Sequence, residues 1–593
     1  MNWRPPMNFE NVLADLSPDR AWADLEHITR EFPSRLAGTE NARRMAEYAR
    51  DELRAAGLDA RLEEFLGLVS FPEPALVRVV SPVQRDIDAF TLGHSASTDG
   101  VEGELVYVGS GAESEYEGKD VRGKVTLSEL SYSPARHEKA YIAWKRGSLA
   151  QIMMNWGDEN NTAVPFGSMK SAWGNPTPET LEAEVPQLPC VGIARTDGLW
   201  LKRLWEQGPV RVWLRARAEN GWRKLTMTAA ELDTGPDREF VLLGGHMDSW
   251  FGPQATDNAA GDACILELAR VFGQHRDRLQ RGLAVGLWMG HETGTMVSST
   301  RFADTNWDRL RARCVAYIQI DQPAMTGASV WNLHSTDEAQ TFIIRATREV
   351  TGDMPLRWHR QAKTGDMSFF GVGLPSLAGE MSFTDEEIRR TALATLGWWH
   401  HSIHNTLDKV DRNLLGLHLR VYARWLWELL TEPVLPFEYG PVADRLLRRL
   451  TELAATRVPG IDLDGLVERA HRFKTLAERF DAQAQAWRPR LRGDQAGADA
   501  AGLLNGTMMR LARVLIPVAS TVVGPYGQDR YGHSWQTQVI PALVAYSKLA
   551  NLDPDSEAYQ VWWVAAIRAR NRVADALEQS VDIVQQALDR LDS

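Results

Sequence analysis

This 593-residue chain is short of cysteine, of long apolar runs and of net basic charge. Its three cysteines are Cys190, Cys264 and Cys314. Odd in number, far apart and set in apolar segments, they argue against a disulfide framework and read as buried thiols of a reducing compartment. The opening, Met1 to Glu10, has no apolar stretch of the kind a secretory signal needs. No uninterrupted apolar run approaches the ~18 residues of a membrane span. Against 66 Lys and Arg stand 78 Asp and Glu, a net charge of −12, which argues against a nucleic-acid surface. The expectation is a cytoplasmic protein with neither a nucleic acid nor a membrane as partner.

What is present is length and a change of texture along it. A chain this long exceeds one core and predicts about three or four domains. Ser17-Pro18-Asp19 caps a helix on which Trp22, Leu25, Ile28 and Phe32 follow at helical spacing; a second helix runs from about residue 40 to 56. Residues 61–80 alternate as edge-type strands do. Short β runs broken by Gly-rich turns then mark 95–224 as an inserted β-rich domain. Within it, 155–183 is rich in Asn, Gly, Pro, Ser and Thr and reads as a long surface loop. From 225 to 435 strands (239–245, 282–289, 313–320) alternate with helices (258–272, 297–305, 336–349), the rhythm of a sheet covered by helices. Residues 436–593 read as long helices (442–455, 462–486, 498–516, 536–550, 556–592) with a Gly/Tyr-rich interruption at 523–534.

Chemistry gathers where apolar strands end. Glu239-Phe-Val-Leu-Leu-Gly runs into His246-Met-Asp248, with Asp257 close behind. The next strand ends at His291-Glu292, the next at Asp321, and Trp398-Trp-His400-His401 follows. In an α/β sheet such positions converge at the carboxyl edge. A lone Asp after a strand is usually a cap or turn former, and a lone His beside Trp a satisfied side chain; several in consecutive elements are hard to assign to chance. His246, Asp257, Glu292, Asp321 and His401 offer two imidazoles and three carboxylates. This N/O set suits two Zn²⁺ ions sharing one carboxylate, with Mn²⁺, Co²⁺ or Fe²⁺ fitting nearly as well.

Here the chain resembles the co-catalytic dizinc exopeptidases, the family of bacterial aminopeptidases, glutamate carboxypeptidase II and the transferrin receptor. The resemblance rests on His246-Met-Asp248-Ser-Trp250, Asp257, Glu292-Thr-Gly294, Asp321, Gly365 to Pro375 and His401-Ser-Ile-His-Asn-Thr406. Pro33-Ser-Arg-Leu-Ala-Gly-Thr39 is similar to the family's opening helix pair. Asp120-Val-Arg-Gly-Lys-Val125 and Leu188-Pro-Cys-Val-Gly-Ile193 look like its protease-associated insert. The helical tail, with Asp529-Arg-Tyr-Gly-His-Ser534, resembles its dimerisation domain, although that branch is usually membrane-anchored. The resemblance thus implies an α/β fold: a mixed-sheet zinc-exopeptidase domain (1–94 with 225–435), a protease-associated insert (95–224) and an all-helical dimerisation domain (436–593) of a homodimer. It also implies that His246 and Asp321 hold one metal, Glu292 and His401 the other, that Asp257 bridges, and that Asp248 orients the His246 imidazole. Such a pair polarises a substrate carbonyl and acidifies a bound water.

The pattern breaks at one position. The family carries Glu-Glu on the third ligand strand, the first as general base; this chain has His291-Glu292. Three readings are open. His291 can serve as the base of a hydrolysis near pH 7. It can serve another proton transfer, such as elimination of an amine by a metal-dependent C–N lyase. It can be an additional ligand. The leading expectation is hydrolysis of a peptide, amide or N-acyl amino acid, on a small-molecule or short-peptide substrate. The alternatives are the lyase and a catalytically silent binding dimer. For substrate contacts, the resemblance points to Arg530 and Tyr531 as a carboxylate clamp, for which a surface salt bridge is the bland alternative to Arg530. It points to Asp366 as a pocket-lining residue and to Glu380 as an acid favouring an amine or guanidinium. His404, His400 and the Trp398/Trp399 pair are expected to wall the pocket.

Overall fold

A computed structural model describes residues 9–130, 133–491, 498–532 and 537–593. Its centre is an eight-stranded mixed sheet. Strands Gly282–Trp288, Phe240–His246, Cys314–Gln319 and Ser376–Ser382 lie parallel in that order. Val330–Ser335 runs antiparallel to the last of these and parallel to the outermost strand, Leu356–Arg360. On the other edge, Ala218–Leu232 and Asp59–Pro72 form a long antiparallel pair.

The central strands are apolar on both faces because helices cover both. All seven residues of Phe240–His246 and all seven of Gly282–Trp288 are buried, as expected of parallel strands sandwiched by helices. Gly245 is required by close packing: a β-carbon there would lie 2.5 Å from the Ile320 carbonyl oxygen. Strands Gly282–Trp288, Phe240–His246 and Cys314–Gln319 end side by side, and the polar residues that follow them share one edge of the sheet.

A second sheet closes into a barrel of seven strands with its own apolar core around Val77, Leu105, Ile152 and Leu214. It takes in Pro74–Ser81 and Arg85–Thr91 and ends with Arg211–Ala216, so it begins ahead of the 95–224 range. Alternation in 61–80 hides the change of sheet, which falls at Glu73, between Asp59–Pro72 and Pro74–Ser81.

Only part of the 155–183 segment lies at the surface: residues 175–183 are exposed or half-exposed and run into the short helix Pro178–Glu184. Residues 155–156 and 163–174 are largely buried between barrel and sheet. Its polar composition serves internal bonding: Asn155 Nδ2 donates to Ala163 O (2.9 Å), Asn161 Nδ2 to Trp156 O (2.7 Å), and Trp173 Nε1 to Ser368 Oγ (2.8 Å). Satisfied in this way, irregular backbone can be buried.

The C-terminal region is helical, with Gly440–Ala454, Asp464–Leu491, Ala498–Ser520 and Glu557–Leu591 sharing one core with the sheet domain. The expected 536–550 helix shrinks to Val544–Leu549 behind a short 3₁₀ turn, and Gln536 lies outside the described residues. Arg513 ties this region to the sheet, donating to the carbonyls of Arg311 (2.9 Å) and Gly373 (2.6 Å). All three cysteines are buried free thiols. Among the described residues, no helix is long and apolar enough to cross a membrane.

Candidate metal centre

The five residues read as ligands converge at the carboxyl edge of the central strands. His246 ends its strand and is fully buried. Its Nε2 lies 3.1 Å from Asp257 Oδ1 and 3.4 Å from Asp321 Oδ1. On the far side of the same carboxylate, Asp257 Oδ2 lies 3.2 Å from His401 Nε2, which is also 3.2 Å from Glu292 Oε1. Asp257 thus turns one oxygen to each half of the site, from an irregular turn (Ala255–Ala259) ahead of helix Ala260–Gln274. Buried Arg35 holds the loop between His246 and this turn. It donates to the carbonyls of Met247 (2.8 Å), Pro253 (2.8 Å) and Gln254 (3.3 Å).

The donor set fits metal ions. Asp257 Oδ2, Glu292 Oε1 and Asp321 Oδ1 are buried without hydrogen-bond partners, a costly arrangement unless something else meets those lone pairs. Zinc bonded tetrahedrally at about 2.0–2.1 Å separates its ligand atoms by about 3.3 Å, which matches the 3.1–3.4 Å spacings here. Charge agrees: burial alone would push His246 down, but the Asp321 and Asp257 carboxylates hold it well above its ordinary value. Burial alone would raise Asp257, but His246, His400 and His401 hold it well below the usual carboxylate range.

Asp248 takes a different part from the expected one. The contact to His246 Nδ1 comes from its backbone carbonyl (3.0 Å), while the nearer carboxylate oxygen is 3.9 Å away. The carboxylate instead accepts from the backbone N–H groups of His291 (3.0 Å) and Glu292 (3.1 Å), fixing the turn that presents both side chains. Glu292 Oε2 accepts from Trp250 Nε1 at 2.7 Å, leaving Oε1 for the site.

His291 stacks on His246, with ring centroids 3.8 Å apart. Its Nδ1 lies 2.8 Å from Asp366 Oδ2. Asp366 is fully buried behind it, accepting from Ser299 Oγ (2.7 Å), so it backs His291 and does not line the pocket. Burial and the neighbouring His246 push the His291 imidazole down; Asp366 outweighs them and brings it up to about 9.

A cavity of about 720 Å³ opens onto this centre. Tyr531 and Glu380 line it. Tyr531 is held against the His137 ring (3.9 Å), and Glu380 Oε1 accepts from Asn332 Nδ2 (2.8 Å). Arg530 does not line it, because its guanidinium lies over the Tyr141 ring at 4.1 Å. His404 is exposed beside Trp398, and neither lines the cavity, since the chain turns outward after His401. Trp399 is not a lining residue either, whereas His400 is. The sequence reading missed Arg136, Lys363, His334 and His359, all of which line the wall. They come from separate elements, and no local spacing marks them. His533 and Ser534 lie outside the described residues.

Comparisons with known proteins agree with this geometry. Residues 228–425 match the Peptidase family M28 model, a span that contains all five ligand candidates. A probable glutamate carboxypeptidase of Arabidopsis thaliana is 22% identical over 93% of this chain and 88% of its own length. An aminopeptidase of Bacillus subtilis (strain 168) is 27% identical over 67% of this chain and 81% of its own. Among solved structures, a Peptidase M28 precursor from Shewanella amazonensis SB2B superposes with a TM-score of 0.58 at 20% identity, covering 71% of this chain and 95% of that one. A zinc aminopeptidase from Bacillus subtilis gives 0.53 at 19% identity, covering 70% and 96%. Residues 228–425 thus match the Peptidase family M28 domain, and the relatives and the fold support the resemblance to the dizinc exopeptidases.

Proposed function

We propose that this protein is a metal-dependent hydrolase of the C–N bond of a short peptide, amide or N-acyl amino acid, using two divalent ions, zinc by preference. The observation that carries the reading is the Asp257 carboxylate, one oxygen toward His246 and Asp321 and the other toward His401 and Glu292. His246 and Asp321 would hold one ion, Glu292 and His401 the other, with Asp257 shared. Bound there, such ions supply Lewis acidity to a substrate carbonyl and acidify a water.

The protein's own groups do the rest. Asp248 fixes the backbone of His291 and Glu292 through two N–H bonds. Asp366 holds His291 Nδ1, so the tautomer is set with Nε2 as the free nitrogen. Asp366 favours the protonated ring, so His291 serves as base only in the neutral form that the positive charge of bound ions would favour; in that form it takes a proton from the attacking water at Nε2 and returns it to the leaving amine, in place of the family's glutamate. Tyr531, Arg136 and Glu380 line the cavity, where they would meet the substrate.

A second reading of His291 has an observation in its favour. His246, His291 and Asp321 each offer an atom within 4.8 Å of the others, and a carboxylate on the far nitrogen is common in metal-binding histidines. His291→Ala separates the two: metal retained with turnover lost makes His291 the base, whereas loss of metal makes it a ligand. The lyase and silent-dimer alternatives draw no support from the relatives, which are named as peptidases. The barrel as protease-associated insert, and the helical region as a contact between two copies, belong to the same proposal; sedimentation equilibrium reads the second. A zinc-replete screen of aminoacyl, carboxy-terminal and N-acyl substrates, with and without chelator, tests the whole reading. Chelator-sensitive release of an amino acid is expected, and activity indifferent to metal would refute it.

A further inference from the structure

His400, directly before the expected ligand His401, has no assigned part in the centre. Its Nδ1 lies 3.2 Å from Asp257 Oδ2, the same distance as His401 Nε2 from that oxygen. Asp257, His400 and His401 each offer a ligand atom, and the three atoms all lie within 4.8 Å of one another. A histidine that merely walled the cavity would spend its buried nitrogen on a carbonyl or hydroxyl. His400 Nδ1 is buried and has no hydrogen-bond partner, as Asp257 Oδ2 and Glu292 Oε1 have none. The ring is also held in place: it stacks on His401, with centroids 3.9 Å apart, and packs against Trp156 at 5.4 Å.

We infer that His400 Nδ1 is a further metal ligand, on the Glu292/His401 side of the centre. The inference rests on the metal-dependent reading above and adds to its five residues. It makes the two halves unequal. Asp257, Glu292, His400 and His401 give one half four protein ligands, the number that closes a zinc site. His246, Asp257 and Asp321 give the other half three, the number that leaves a position open for water or substrate. The open half is the one on which His291 stacks, which places the proton acceptor and the open position together.

The test is a zinc-loaded crystal structure of the unaltered protein, with zinc affinities from chelator competition for it and for His400→Phe. The expected result is His400 Nδ1 at bonding distance from one ion, about 2.0–2.1 Å. His400→Phe should bind one of its two ions at least about tenfold more weakly and the other unchanged, with altered visible bands in the Co²⁺-loaded variant. Two zinc ions with His400 Nδ1 bonded to neither overturn the inference and leave the metal-dependent reading standing. Unaltered protein that takes up no zinc overturns both. If His400→Phe fails to fold, the structure of the unaltered protein decides alone.

Discussion

His291 Nδ1 and Asp366 Oδ2 are 2.8 Å apart, joining a residue after one strand to one 75 positions later in the chain. The bond leaves the imidazole one free nitrogen and no freedom to turn. Asp366→Asn should keep the fold and metal content but lower kcat about 10²-fold, with little change in KM, because a general base is worth about 10²–10⁴. Steady-state kinetics on the zinc-loaded variant checks this, and an unchanged kcat would remove Asp366 from the account. In the same series, His291→Glu restores the family's carboxylate and should bring ordinary aminopeptidase activity.

Arg35 tests how the ligand loop is held. Its guanidinium is fully buried and meets three backbone carbonyls around His246 and Asp257. Arg35→Met leaves those carbonyls without donors, each costing about 1–3 kcal/mol, so a loss of about 3 kcal/mol or more is expected. Urea denaturation reads the stability, and a zinc titration should show weaker binding as the loop loosens.

Metal removal should destabilise the fold. Without ions, buried oxygens of Asp257, Glu292 and Asp321 have no partner, and any ligand bound only by the native state stabilises by mass action. Chelation should lower Tm by several degrees and readdition of zinc should restore it. Calorimetry showing the same Tm with and without zinc would contradict a resident ion.

Lys170 supplies a pH dependence independent of the centre. It is fully buried, its Nζ donates to Gly174 O at 2.7 Å, and burial pushes it down to about 7 from an ordinary 10.5. The native state thus binds this proton less readily than the unfolded chain. The group's stability contribution is fully present above pH 10.5 and is lost as pH falls through about 7. Between pH 7 and 9 the unaltered protein should gain on Lys170→Met by about 2–3 kcal/mol, at 1.36 kcal/mol per unit. Denaturation at the two pH values gives the difference, and parallel stabilities would show Lys170 to be solvated.

Three of the ligand candidates were legible in the sequence because each ends or follows an apolar strand, and parallel strands bring their carboxyl ends together. His246, Glu292 and Asp321 needed only that rule. What stayed hidden depends on contacts between distant segments. Asp366 has the same local setting whether it faces the cavity or backs His291. Arg530 and Tyr531 are neighbours, yet only Tyr531 reaches the cavity, because Tyr141 takes the guanidinium. Asn155 and Asn161 read as loop residues by composition, and they bury that loop by bonding its backbone. Asp248 shows the limit at short range: its backbone carbonyl, which any residue has, takes the contact expected of its carboxylate.

The central claim is metal-dependent hydrolysis at the Asp257-centred site, and solvent-oxygen labelling tests it most directly. With zinc-loaded protein and a substrate that it turns over in H₂¹⁸O, mass spectrometry should find one ¹⁸O in the newly formed carboxylate, and chelation should abolish that product. An unsaturated product carrying no solvent oxygen would contradict the account.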